Sequence, residues 1–83
     1  MKNVPDEMIH EINVVLSQGA EKHGADSYKT RSYVQDYQKL LQHAQAWEHG
    51  VKREDESHCH SMAHVIARAI LIWKRDLETE VAK

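Results

Sequence analysis

His58, His60 and His64 follow directly on the acidic run Glu54, Asp55 and Glu56. Carboxylates and imidazoles this close together either start a helix or form one side of a metal or phosphate site. His60 and His64 are four residues apart, so on a helix their side chains stack on one face within reach of a single ion, with Ser61 and Arg68 on the same polar strip. Against this stands a solvated helix face, on which a histidine pair at this spacing also occurs by chance. His58, four residues before Met62, fits a packing or capping role. For the acids the structural alternative is capping and compensation of the helix dipole, with the cap worth about 0.5–2 kcal/mol. The chemical alternative joins one or two of these carboxylates to His64 and His43 around a hard cation. That cation would hold a triphosphate and lower the pKa of an attacking water. Mixed oxygen and nitrogen donors suit manganese or magnesium ahead of zinc.

Phosphate charge calls for cations, and Lys22, Lys29, Arg31 and Arg68 are the candidates, set against an ordinary solvated surface. A base calls for a stacking surface. Tyr33, Tyr37 and Trp47 recur at helical spacing and so belong to a core, whereas Tyr28 falls in a loop and is the freer candidate. Cys59 is a lone helix-start thiol with no second cysteine to pair with, and its presence is incidental. The chain carries no Walker loop, no G-x-G-x-x-G, no His-Asp pair and no nucleophile elbow.

Three helices must position these groups. Pro5, Asp6 and Glu7 suit a first turn, and Met8, Ile9, Ile12, Val15 and Leu16 form an apolar stripe, so a first helix is expected over about 5–18 with Gly19 as its stop. Residues 19–32 lack a sustained period and hold two glycines, which predicts a loop; long ordered loops in small domains tend to bind ligands. Ser32 caps a second helix over 33–48, whose stripe is Tyr33, Val34, Tyr37, Leu40, Leu41, Ala44 and Trp47, with His43 on its flank facing a neighbouring helix. The third and longest helix is expected over 58–80. Met62, Val65, Ile66, Ala69, Ile70, Trp73 and Leu77 form its main stripe, and its middle is apolar almost all round. The fold class is therefore all-α: one small antiparallel three-helix domain spanning 1–83. A helix needing cover on several sides predicts a homo-oligomer, most simply about a two-fold axis.

The totals bound the function. At 83 residues only about 60–65% of the unfolded surface can be buried, which again favours partner chains. A net charge of −2, with Lys and Arg scattered, provides no field for duplex nucleic acid. One cysteine, no apolar leader and no uncharged run of about 20 residues predict a cytoplasmic protein without a membrane span. Seven histidines beside two Trp, three Tyr and no Phe are the compositional anomaly that makes ligands worth seeking.

The order of these motifs resembles the phage and bacterial dATP/dGTP diphosphohydrolase N-terminal domain family. Its pattern is a K-Y-G-x-x-N-W loop, a helix with R-H-x-x-A-W-x-x-G, an acidic turn ending D-x-E-S, and H-L-A-H opening the last helix. Here the loop runs from Lys22 to Tyr28, the helix from Gln42 to Gly50, the turn from Glu54 to Ser57, and the last motif from Ser61 to His64. The resemblance implies an all-α domain that cleaves a purine deoxynucleoside triphosphate to monophosphate and pyrophosphate with a divalent metal, in a host cytoplasm where the chain is phage-encoded. Its polar positions carry over to Lys22, His43, Glu54, Glu56 and His64. Gln42, Val51-Lys52, Ser61 and Arg68 depart from an arginine, an acidic pair, a histidine and an asparagine respectively.

Two functions follow. In the first, a metal-dependent pyrophosphohydrolase-like domain places His43, His60, His64 and Asp55 around the metal, Glu54 and Glu56 as catalytic acids, and Lys22, Tyr28 and Arg68 on the nucleotide. In the second, which the departures favour, a non-catalytic helical oligomer sequesters a nucleotide or signalling nucleotide, or inhibits a host protein.

Overall fold

The structure is a computed structural model describing residues 3–82, so the outermost residues of the expected 1–83 domain lie outside it. It is all-α, with three long helices and one short 3-10 turn, and no strand among the described residues. Helix α1 spans Asp6–His23, the turn η1 Ser27–Lys29, α2 Tyr33–Glu48 and α3 Ser61–Ala82. No helix among the described residues is long and apolar enough to cross a membrane.

Pro5 opens α1 as its spacing predicts, accepting the Met8 and Ile9 N–H groups on its carbonyl. The helix then runs through Gly19, the expected stop, and ends at Gly24. Only there does the backbone turn to φ +91°, with the Gly24 N–H donating to Ala20 O. A glycine costs a helix about 1 kcal/mol, which continued hydrogen bonding absorbs, whereas a left-handed residue ends it. The connection to α2 is accordingly shorter than 19–32 and holds η1. Ser32 Oγ accepts the Val34 N–H and caps α2.

Helix α3 starts at Ser61, three residues later than its apolar spacing suggests. His58 takes a left-handed φ of +61°, and Arg53 and His60 form an antiparallel bridge that closes the acidic turn into a loop. Side chains hold that loop against helix: Glu54 accepts the Ser57 N–H, and Ser57 Oγ accepts the Cys59 N–H.

Both other helices pack on α3, α2 the more extensively. Arg75 donates to Arg31 O and Tyr33 donates to Asp76 near one end, while His43 meets His64 toward the other, so α2 and α3 are antiparallel. Their facing surfaces differ from the predicted stripes. Helix α2 turns buried Asp36 and half-buried Leu40, His43 and Ala44 inward, leaving Val34, Tyr37 and Leu41 exposed. Helix α3 buries Ala63 and Ala67, and leaves Ala69, Trp73 and Leu77 exposed. Small residues allow close approach of the helices, and the larger apolar groups are left outside. The described core is correspondingly small: Tyr28, Cys59, Ala63 and Ala67, with polar Asp36 and Ser61.

Candidate functional site

A cavity of about 660 Å³ lies between the second half of α1, the acidic turn, and the facing sides of α2 and α3. The packing brings seven of the nine expected site residues to its lining: Lys22, Tyr28, His43, Glu54, Glu56, His64 and Arg68. Asp55 and His60 are not among them. Asp55 is exposed on the turn. His60 lies just before α3, where its Nδ1 accepts the Met62 N–H at 3.0 Å and caps the helix, so the expected His60–His64 pair on one helical face does not form.

His64 instead meets His43. Their rings stack at 4.4 Å between centroids, with 19° between planes. Burial holds both imidazoles below their ordinary pKa of 6.5. Mutual repulsion and the Arg68 guanidinium add to this at His43, and at His64 Arg68 lowers the value while Glu54 opposes. Both rings are therefore neutral at pH 7, the form that binds metals. Ser57 Oγ lies 2.8 Å from His64 Nε2, which leaves His43 the freer donor.

Glu54 is the acid beside this pair. Its burial opposes ionisation, but the Ser57 N–H and hydroxyl, the His64 ring and the Glu56 N–H outweigh it, and the carboxyl sits below its ordinary value. Glu56 is exposed and accepts Lys22 Nζ at 3.1 Å, a pair that ties α1 to the acidic turn. At this exposure it contributes at most about 1 kcal/mol. Among the described residues, no three His, Cys, Asp or Glu side chains stand close enough together to hold a metal ion as placed. His43, His64, Glu54 and Glu56 line the same cavity and carry nitrogen and oxygen donors.

Tyr28 does not offer the free stacking surface expected of it. It is 2% exposed, its hydroxyl donates to Glu78, and Lys74 lies over its ring at 4.8 Å from the centroid. Its role is to fasten the α1–α2 connection to α3. Apolar surface in the cavity comes instead from Val15, Leu16, Ala67 and Leu71.

Two polar groups that shape the site, Asp36 and Glu11, belong to none of the sequence motifs. Asp36, 3% exposed, accepts Arg31 Nε at 3.0 Å and Arg68 Nη1 at 2.7 Å on one oxygen, fixing both guanidiniums at the cavity wall. Its spacing from Leu40 and His43, four and seven residues, was the available signal. Glu11 on α1 accepts the His60 N–H and the Arg53 guanidinium, joining α1 to the acidic loop; the His60 N–H above all lowers its pKa. Ser57 links Glu54 to His64.

The positions departing from the family pattern separate in space. Ser61 is 1% exposed and donates to Val51 O at 2.7 Å, and Lys52 lies over the Trp47 ring, so neither they nor Val51 line the cavity. Arg68 does. The changes at Ser61 and Val51-Lys52 therefore take no donor from the cavity wall.

Comparison with known proteins gives one finding, a match of residues 1–83 to the family model described as dATP/dGTP diphosphohydrolase, N-terminal. No curated protein and no solved structure matches. The match covers the whole chain, and the chain belongs to the dATP/dGTP diphosphohydrolase N-terminal domain family.

Proposed function

We propose that this domain is a metal-dependent nucleoside triphosphate pyrophosphohydrolase acting on purine deoxynucleotides, with the α1–α2–α3 cavity as its site. Water and a triphosphate give a monophosphate and pyrophosphate. The observation that carries the proposal is the polarity of the cavity. Arg31, Lys39 and Arg68 line it together with Glu54, Glu56 and the His43–His64 pair, and apolar Val15, Leu16 and Leu71 are also present. A triphosphate needs cations, a divalent metal needs carboxylates and neutral imidazoles, and a base needs apolar cover.

His43 and His64, with Glu54 and Glu56, would hold the metal, which when bound supplies Lewis acidity and acidifies a water. Asp55 and His60 drop out of that set for the positions given above. Glu54 is kept ionised by Ser57 and suits a proton acceptor from the attacking water. Arg68 and Lys22 neutralise phosphate oxygens, with Lys22 exchanging its Glu56 partner for the substrate. Tyr28 acts indirectly, by holding the loop that carries Ser27 and Arg31.

The second reading is a non-catalytic oligomer that sequesters a nucleotide or signalling nucleotide, or inhibits a host protein. It draws on the exposed apolar groups Val34, Tyr37, Trp73 and Leu77, which a partner surface would cover. A homo-oligomer fits both readings. Incubation with dATP or dGTP and Mn²⁺ separates them: the first requires pyrophosphate release, and no release from any triphosphate tested would sink it.

A further inference from the structure

A second groove of about 610 Å³ opens between the η1 region and α2. Its lining includes Arg31, Lys39 and Arg68 with the amides of Gln35, Gln38 and Gln42, and no carboxylate. Residues 35, 38, 39 and 42 fall at three- and four-residue spacing, so α2 presents one continuous donor-bearing face to the groove. Arg31, Lys39 and Arg68 line the neighbouring cavity as well and so stand between the two spaces, whereas Gln35, Gln38 and Gln42 line the groove alone.

Charge is out of balance at this partition. Arg31 and Arg68 share a single buried carboxylate, Asp36, and both bond to its one oxygen Oδ1. Two cations meeting one anion leave a surplus positive charge. The guanidiniums keep 20% and 27% side-chain exposure. Arg31 commits Nε to Asp36 and Nη1 to Ser27 Oγ, and Arg68 commits Nη1 to Asp36, which leaves Nη2 of both and Nε of Arg68 without a protein partner among the described residues. A guanidinium fixed on one side by a buried carboxylate presents a rigid fork of donors on the other, a shape that matches phosphate oxygens. The cavity also holds the carboxylates Glu54 and Glu56 beside its cations, which suits a metal beside the phosphate. The groove has no such acids.

We propose that this groove is a metal-independent anion subsite for a diphosphate group, held by the Arg31 and Arg68 guanidiniums, the Lys39 ammonium and the glutamine amides. It deepens the proposed function, because its three cations also line the cavity and the groove adds the glutamine amides. The diphosphate chemistry has two sources, the phosphate tail of the triphosphate in the cavity or a separate phosphate-bearing ligand.

The test is a ¹H–¹⁵N NMR titration of the wild-type chain with inorganic pyrophosphate in EDTA, at fixed ionic strength. The expected result is saturable shifts at Gln35, Gln38 and Gln42, which line the groove alone, together with Arg31, Lys39 and Arg68. Lys39→Gln, an exposed substitution, weakens binding several-fold, and Arg68→Gln weakens it by about tenfold or more, as expected for a lost charge-assisted contact. Arg68→Gln removes a partner of buried Asp36; should that variant unfold, the wild-type map and Lys39→Gln decide. Absence of saturable shifts in EDTA, shifts centred on Glu54 and His64, or unchanged affinity in Lys39→Gln overturns the subsite. Displacement of bound pyrophosphate by a non-hydrolysable triphosphate assigns the site to the substrate tail, and simultaneous binding assigns it to a separate ligand; both support an anion subsite. Pyrophosphate binding without any nucleotide hydrolysis leaves the subsite standing and the hydrolase reading fallen. Hydrolysis without these shifts does the reverse.

Discussion

The imidazoles of His43 and His64 stack across the α2–α3 interface at 4.4 Å, joining residues that the sequence separates by a helix end, an acidic turn and a helix start. Both are half-buried and both are kept neutral by that burial. The contact joins α2 to α3 and puts two neutral imidazoles in the cavity that Glu54 also lines.

This pair makes stability depend on pH. The unfolded chain protonates each histidine near its ordinary value of 6.5, while the folded chain resists until a lower pH. The unfolded state thus binds more protons in that interval, so stability is fully present above about pH 7.5 and is lost as pH falls through 6.5 toward the folded values. In EDTA, Tm should fall between about pH 7.5 and pH 5.5, and His43→Gln should flatten the slope. An equal slope in the variant would contradict the assignment.

Asp36 should be the costliest single polar residue to lose. Asp36→Ala leaves two partly buried guanidiniums without their carboxylate, and breaking such a buried pair costs about 3 kcal/mol. Urea unfolding should show a lower midpoint at unchanged slope. Removal of Asp26, whose pair with Lys29 is exposed, should change the midpoint far less.

Tyr28 should ionise well above the ordinary tyrosine range. Its hydrogen bond to Glu78, followed by burial and the Glu78 charge, pushes its pKa up to about 12. Absorbance titration of tyrosinate should resolve a late component, and Tyr28→Phe should remove it without touching the earlier ones.

The apolar groups left outside predict assembly. Light scattering should give a mass that is a multiple of 9.6 kDa, and Trp73→Glu, on the 66%-exposed Trp73, should lower it to the single-chain value. A monomeric wild-type chain would leave that face unexplained.

How much of this was legible beforehand depends on what each feature rests on. Pro5 and Ser32 marked helix starts because capping is local chemistry, and the all-α fold followed from apolar spacing. Helix rotation did not follow. Leu40 and Ala44 of the α2 stripe turn inward, yet Tyr37 and Trp73 on the expected stripes stay exposed while Asp36, Ala63 and Ala67 outside them are buried. A stripe shows which face seeks cover, not whether this chain or another provides it. His64, His43 and Glu54 were reachable through the family pattern, but Asp36 and Glu11 were not, because their partners Arg68 and His60 lie far along the chain. The start of α3 was misplaced because side-chain bonds around Ser57 hold residues 54–60 out of helix.

The central claim is that the α1–α2–α3 cavity cleaves triphosphates through Glu54. Pyrophosphate release from dATP and dGTP with Mn²⁺, measured for the wild-type chain and Glu54→Gln, tests it most directly, since glutamine retains an acceptor for the Ser57 N–H while losing the base. The wild type should release pyrophosphate, and the variant should lose about 10²-fold or more of that rate at unchanged Tm. Equal rates in the two proteins would contradict it.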